Sequence, residues 1–294
     1  MDFIPAKSII SAVKPTDNYV YRDFNMNIYR GCTHGCIYCD ARSACYHLDR
    51  FDEVRGKENT LSLIEDELRH KRKKGIIATG AMSDPYNPME AEYELTRNAL
   101  KLIDKYGFGV SITTKSPLVT RDIDIFTSIA SHSAVDIRLT ITALEDDLSR
   151  RIELGVAPSS ERFAALAKLA NSGVYTGIFI TPVLPLITDM PENIVGIVRE
   201  GAKCGIKNTV CFFGMTLRSG NREYYYAALD REFPGVRERY EKLYGESYEC
   251  PSPDARQLWN AFTAECGKHG ILYDFKSINR TIRGLAGNTQ LSLF

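Results

Sequence analysis

No apolar run in this 294-residue chain approaches the roughly 20 residues that span a bilayer, so no membrane segment is expected. The opening residues MDFIPAKSII lack the basic-then-apolar order of a secretory signal, and the expected location is the cytoplasm. There is no excess of charge of either sign: Lys+Arg and Asp+Glu both number 37. General duplex-binding proteins usually carry a basic excess, so the balance argues against that class while leaving a local basic groove open. Repeats, low-complexity stretches and long linkers are missing too. With 44% hydrophobic and 25% charged residues, the chain can bury a full core, as one large domain or one with an appendage.

Cysteine, by contrast, is not scarce: there are eight. In a reducing compartment, clustered cysteines read as metal ligands or catalytic thiols before they read as disulfides. Cys32, Cys36 and Cys39 fall together in Tyr29-Arg-Gly-Cys32-Thr-His-Gly-Cys36-Ile-Tyr-Cys39. Cys45, Cys204, Cys211, Cys250 and Cys266 are scattered, and most are expected as small core residues. Three thiolates spaced by three and then two residues can wrap one face of an iron–sulfur cubane, leaving one iron open to an outside ligand. A zinc loop completed by His34 or His47 is the competing reading.

Along the rest of the chain, short β-branched runs alternate with segments of helical period. Strands are expected over 25–29, 76–79, 110–114, 134–141, 174–180 and 208–213, and helices over 91–106, from 122, and over 161–171, 192–204 and 254–269. Such alternation predicts a parallel sheet with helices outside it. Six β/α units are too few for a closed eight-fold barrel, so an α/β fold with a partial (β/α)6 TIM-like barrel is expected over 1–219, with an N-terminal extension over 1–24. Residues 220–294, richer in Tyr and charge, are expected as a C-terminal helical and aromatic cap and tail.

The cysteine loop resembles the C-x-x-x-C-x-Φ-C signature of the radical SAM superfamily, with Tyr38 at the aromatic position. The resemblance implies a 4Fe-4S cluster on Cys32, Cys36 and Cys39. It further implies that S-adenosylmethionine (SAM) occupies the open iron and is cleaved reductively to methionine and a 5′-deoxyadenosyl radical. A reducing partner of flavodoxin or ferredoxin type is implied as well. From about Asn25 to Leu186 the chain is similar to the spore photoproduct lyase-like subgroup, through Tyr29-Arg-Gly-Cys32, Ser83-Asp84-Pro85-Tyr86, Thr114-Lys115-Ser116-Pro117 and Thr181-Pro182-Val183-Leu184-Pro185. Each segment follows an expected strand, where barrels of this kind build their sites. By that resemblance Lys115 pairs with the SAM carboxylate, Ser83 accepts from its amine and Thr140 offers a hydroxyl. Tyr38 and Val183 lie by the adenine, and Arg151, in an Arg-x-Glu segment with Glu153, is a further candidate.

The likeness also has a limit. Spore photoproduct lyase carries a hydrogen-donor cysteine just before its Ser-Asp segment, whereas here that stretch reads Gly80-Ala81-Met82-Ser83-Asp84. Cys45 and Tyr86 are the candidates for a substitute donor and a radical relay. The tail aromatics Tyr224-Tyr225-Tyr226, Trp259 and Tyr273 suit stacking on a small, flat, polar substrate. The leading expectation is a lyase that cuts a C–C or C–N bond of a nucleobase-like molecule, with queuine as candidate, its N–H edges held by carboxylates such as Asp84, Glu145 or Asp189. The alternatives are a photoproduct-repair or base-modifying enzyme on DNA or RNA, and a non-enzymatic metal-binding module. Gln290-Leu-Ser-Leu-Phe294 resembles the peptide by which bacterial proteins dock on the replication sliding clamp.

Overall fold

The structure, a computed structural model, describes residues 1–14, 16, 19–80 and 82–287. The chain opens with strands β1 (Asp2–Ile4), β2 (Ile10–Ala12), β3 (Phe24–Met26) and β4 (Tyr29–Arg30). After the cysteine loop, β5 (Arg55–Lys57) pairs with β1 and β4 in a small separate sheet. Alternation then sets in: α1 (Thr60–His70), β6 (Ile76–Thr79), α2 (Glu90–Tyr93), α3 (Leu95–Lys105), β7 (Gly109–Thr114), α4 (Ile123–Ala130) and β8 (Val135–Thr140). It continues through α5 (Asp146–Ile152), α6 (Ser159–Asn171), β9 (Tyr175–Ile180), α7 (Pro191–Lys203) and β10 (Asn208–Cys211). The main sheet has the order β10-β9-β8-β7-β6-β3-β2. From β3 to β10 every neighbouring pair is parallel, and β2 adds an antiparallel edge. The six parallel strands stand in chain order and are open at both ends, which is the partial barrel expected.

The two faces of the sheet follow the period of two along each strand. On the outer face Ile77, Val110, Ile112, Ile137, Leu139, Ile178 and Ile180 meet Leu100, Ile103, Phe126, Leu166, Leu169, Ile194 and Ile197 of the helices. Each such side chain contributes roughly 1.5–3 kcal/mol on burial, so this layer dominates the stability. The inner face mixes Ser111, Asp136, Arg138 and Asn208 with Ile76, Phe179 and Val210.

The expected helix over 91–106 is broken. Glu94 takes a left-handed φ of 48°, and the chain restarts as α3. The break lets the buried Glu90 carboxylate accept from the Thr96 and Arg97 N–H groups at 2.8 and 3.1 Å, so that a side chain from one helix satisfies the open donors of the next. The expected strand over 25–29 is likewise divided, its two halves pairing in different sheets as β3 and β4.

Beyond β10 come β11 (Gly214–Thr216), α8 (Asn221–Glu232), α9 (Val236–Tyr244), β12 (Glu249–Pro251), α10 (Ala255–His269) and α11 (Phe275–Gly287). Three of their contacts with the barrel matter here. The β11–β12 ribbon with α8 and α9 packs beside the cysteine loop. Helix α10 lies along α7, joined by Arg199 and Glu265 at 2.6 Å. Helix α11 sets Ile278 and Ile282 against Ile76, Phe179 and Val210 of the inner face. No helix among the described residues is long and apolar enough to cross a membrane.

Candidate active site

Backbone contacts hold the cysteine loop in place. Cys32 N–H donates to the Phe51 carbonyl at 2.8 Å, Ile37 N–H to Ile152 at 3.0 Å and Gly155 N–H to His34 at 2.8 Å. Cys36 forms an isolated antiparallel bridge with Glu153. Gly31 has φ +81°, and a Cβ there would stand 2.2 Å from the Glu53 carbonyl oxygen, so only glycine fits the approach. This frame brings Cys32, Cys36 and Cys39 to the wall of a cavity of about 610 Å³. Gly80, Lys115, Thr140 and Thr181, all just at or beyond the C-terminal ends of barrel strands, line it as well. Phe212, Phe213 and the β11–β12 ribbon complete the wall with Met215, Thr216, Glu249 and Cys250.

Two buried carboxylates brace this wall. Glu153 and Arg162, 1% and 0% exposed, form an ion pair at 2.5 Å. Arg162 also donates to the carbonyls of Ala157 and Thr140 at 2.7 and 2.8 Å and to the Ser149 hydroxyl at 3.0 Å. Glu153 accepts from the Tyr38 hydroxyl. Burial pushes the Glu153 carboxyl up, but Arg162 and Lys115 outweigh it and hold it below the usual range. On the other side, Asp84 accepts from the Tyr86 N–H at 2.9 Å, the Thr114 hydroxyl at 2.6 Å and the Lys115 N–H at 2.8 Å. His34 Nδ1 stands 3.5 Å from the same carboxylate. Burial would lower the His34 pKa, and the Asp84 charge raises it overall.

The sulfur groups differ among themselves. Burial pushes the Cys36 and Cys39 thiols up. Burial also acts on Cys32, but its hydrogen bond with His34 prevails and holds this thiol below its usual value. Lys115 would be lowered by burial, yet the Cys36 thiol, Glu153 and Asp84 around it raise it. Its backbone N–H is bonded, whereas its ammonium makes no hydrogen bond to a described residue and lies 5.8 Å from the centre of the Tyr38 ring. Among the described residues no three His, Cys, Asp or Glu side chains converge on a single-ion position. A cubane does not ask for that, because each thiolate takes a different iron. Three sulfur donors on one cavity wall, with open volume and an uncommitted cation beside them, fit a cluster that also binds an outside ligand.

Tyr38, Ser83, Lys115 and Thr140 line the same cavity as the three cysteines; the Ser83 hydroxyl donates to the Gly31 carbonyl at 2.5 Å. The other sequence candidates lie elsewhere. Val183 is fully buried in the main core, and Thr181 and Pro182 form that part of the wall. Arg151 is exposed, donates to the Glu232 carbonyl and lies 4.1 Å from the Phe233 ring. Cys45 is exposed beside Arg218 at 3.4 Å, with its neighbour Tyr46 in the wall instead. Tyr86 is buried behind the wall and donates to Asp122 at 3.0 Å.

Of the three carboxylates expected to contact substrate, only Asp84 lines the cavity. Asp84 is filled by protein donors, Glu145 is exposed at the start of α5, and Asp189 accepts from Ser252 at 2.7 Å. The tail aromatics are packing groups: Tyr225 and Tyr226 pack with Tyr240, while Trp259 packs with Phe213, Phe262 and Tyr273. The rings in the wall are Tyr38, Tyr46, Phe212 and Phe213. Cys250, expected as a core residue, is buried and also in the wall. No local signal marks it, because it arrives through the pairing of Cys250 with Met215 across two intervening helices. Residues 290–294, the clamp-like peptide, lie outside the described residues.

Comparison with known proteins agrees with this geometry. The profile of the radical SAM superfamily matches residues 26–198. An uncharacterized protein of Methanocaldococcus jannaschii is 34% identical over 235 residues, covering 79% of this chain and 83% of that protein. An uncharacterized protein of Mycobacterium tuberculosis is 29% identical over 242 residues, covering 80% and 71%. Spore photoproduct lyase complexed with dinucleoside spore photoproduct superposes with a TM-score of 0.67 at 14% identity, covering 92% of this chain and 81% of that one. The radical SAM methyltransferase TsrM from Kitasatospora setae gives 0.56 at 10% identity, covering 90% and 62%. At these identities the structural likeness is one of fold. The family works with a 4Fe-4S cluster and SAM. With a superfamily profile spanning more than half its length, this chain belongs to the radical SAM superfamily.

Proposed function

We propose that the cavity is the active site of a SAM-radical lyase acting on a small nucleobase-like substrate. The observation that carries the reading is the convergence of Cys32, Cys36, Cys39, Tyr38, Ser83, Lys115 and Thr140 on one wall. The cysteines would hold the cluster, which together with SAM supplies a carbon radical able to remove a hydrogen atom from a substrate. Lys115 offers a free ammonium to the SAM carboxylate, a charge-assisted contact. Ser83, whose proton is committed to Gly31, keeps its oxygen lone pairs for an ammonium donor. Thr140 offers a hydroxyl, and Tyr38 a ring edge for the adenine. Phe212 and Phe213 stand where a flat substrate would meet apolar wall. A reducing protein of flavodoxin or ferredoxin type would deliver the electron.

The test is anaerobic reconstitution followed by incubation with dithionite and SAM. Iron and sulfide near four each per chain, with 5′-deoxyadenosine formed, support the assignment; a colourless protein that forms none sinks it. Queuine is the first substrate to supply, and the reading as a queuine lyase fails if queuine neither raises 5′-deoxyadenosine nor loses its cyclopentenediol. The structural likeness to a lyase holding a dinucleoside photoproduct favours a second reading, photoproduct repair. That dinucleoside is therefore the second substrate, and its conversion to thymine nucleosides decides for repair.

A further inference from the structure

A second, smaller cavity of about 70 Å³ lies against the inner face of the barrel, and Gly80 and Thr113 line both it and the larger one. Its wall includes Arg22 and Arg138 and, among the described residues, no carboxylate. Asn25, Asn27, Ser111 and Thr113 add polar groups. Arg138 is 0% exposed. Its Nε donates to Asn208 at 3.0 Å and its Nη1 pairs with Asp136, while the Phe179 ring lies 5.4 Å from the guanidinium carbon. Its Nη2 has no hydrogen-bond partner among the described residues. A buried guanidinium nitrogen without an acceptor asks for an explanation, and among the described arginines that have one, Arg138 is the one wholly buried.

We infer that this cavity is a binding site for a small oxyanion, a carboxylate in the first instance, held by Arg138 Nη2 and Arg22. The wall chemistry favours an anion: Arg138 keeps one unpartnered nitrogen, and Arg22, which donates through Nε to Asn25 at 2.9 Å and through Nη1 to the Val20 carbonyl at 3.2 Å, brings a second positive charge. Asp136 bonds Arg138 and Ser111 through Oδ2, and its Oδ1 has no hydrogen-bond partner among the described residues. The volume selects size: it exceeds what one water needs and admits a carboxylate but no nucleotide. Two sources present this chemistry, a free carboxylate and a carboxylate carried by the occupant of the larger cavity. The second rests on the reading of that cavity as the active site.

Thermal unfolding of the full chain, at constant ionic strength with chloride as the reference salt, tests the site without needing a cluster. Formate is expected to raise the midpoint saturably where chloride does not. Benzoate and 2-naphthoate distinguish the sources: tighter half-saturation than formate places the ring in the larger cavity, and weaker half-saturation means a free anion. The double variant D136N/R138Q, which replaces the buried pair by neutral amides together, is expected to need at least tenfold more formate. Arg22→Gln, on the more open side of the cavity, is expected to weaken formate severalfold and serves if the double variant does not fold. Equal effects of formate and chloride, or undiminished formate binding in either folded variant, overturn the proposal. A chain that forms no cluster yet binds formate would sink the lyase reading alone.

Discussion

Two buried polar regions flank the loop that follows β6, and they are built on opposite terms. Behind the wall, Glu90, Arg97, Arg121, Asp122, Tyr29 and Tyr86 form a closed network. Arg121 meets Glu90 at 2.7 Å, Arg97 meets Asp122 at 2.5 Å, and the Tyr29 and Tyr86 hydroxyls donate to Glu90 and Asp122 at 2.5 and 3.0 Å. Each acid there has its base. In front of the wall, the thiols and the Lys115 ammonium share a cavity, and that ammonium has no hydrogen-bonded partner among the described residues. The comparison separates scaffold from site: a satisfied network gains nothing from a ligand, whereas a cation that lacks a hydrogen-bonded acceptor gains one when an anion arrives.

The largest effects belong to the front. Cys32→Ala, Cys36→Ala and Cys39→Ala are each expected to abolish cluster retention and 5′-deoxyadenosine formation, read as iron content and product by chromatography, while far-ultraviolet circular dichroism stays unchanged. Retained activity in any one of them would detach the loop from the chemistry.

The brace beneath Cys36 comes next. Glu153→Gln leaves Arg162 buried without its counter-ion, and breaking such a pair costs about 3–5 kcal/mol; urea unfolding should show it. E153Q/R162M removes both charges and is expected to recover a large part of that loss. The loss should appear on the acid limb too. Folding holds the Glu153 carboxyl below its usual value, so its contribution is present above the unfolded-state pKa and fades as pH falls through the lower folded value. Wild type and E153Q should therefore converge in stability toward acid pH.

The barrel was legible because a parallel strand buried on its outer face must be rich in Val and Ile, as 110–112 and 137–141 are. That the cysteines share one wall could be read from their spacing, and that Lys115 and Thr140 face the same cavity from their places at the ends of β7 and β8, where such a barrel opens. Three kinds of residue escaped. Arg151 was read from an Arg-x-Glu pattern, but Ile152 is buried and Glu153 bridges to Cys36, so Arg151 at the end of α5 turns outward. Tyr86 sits in the right turn, yet a turn does not say which side of the wall its ring takes. Cys250 depends on pairing between two three-residue strands, and sequence period carries no trace of so short a ladder. Arg138 shows the reverse: Asp136, Arg138 and Thr140 alternate with Ile137 and Leu139, an inward polar row visible in the sequence once the strand is drawn.

Lys115 and Arg121 sharpen the comparison between the two regions most directly. Lys115→Met deletes an ammonium that has no hydrogen-bonded partner among the described residues but lies in the field of Glu153 and Asp84, so SAM binding is expected to weaken by more than stability falls. A hydrogen bond to a charged group is worth about 1.5–3 kcal/mol, which corresponds to roughly ten- to hundredfold in Kd. Arg121→Met should do the opposite, lowering stability with SAM affinity kept. Isothermal titration with SAM and urea unfolding on the same two proteins give the four values. If both variants lose affinity and stability together, the division into scaffold and site is wrong.

Tyr86→Phe is the smallest change and the most exacting. It removes one hydroxyl from the rear network, where Asp122 still accepts from Arg97 and Arg121 at 2.5 and 2.9 Å. The expected cost is therefore near the lower end for a lost hydrogen bond, about 1 kcal/mol, seen as a small shift in the urea midpoint with unchanged slope. Cleavage of SAM and conversion of substrate should proceed at the wild-type rate, because the ring is sealed from the cavity and its hydroxyl points to Asp122. A radical relay through Tyr86 demands the reverse pattern, with stability nearly intact and product turnover lost. Burial together with Asp122 pushes its phenol pKa well above the usual value, and that makes loss of a proton to a relay partner harder still.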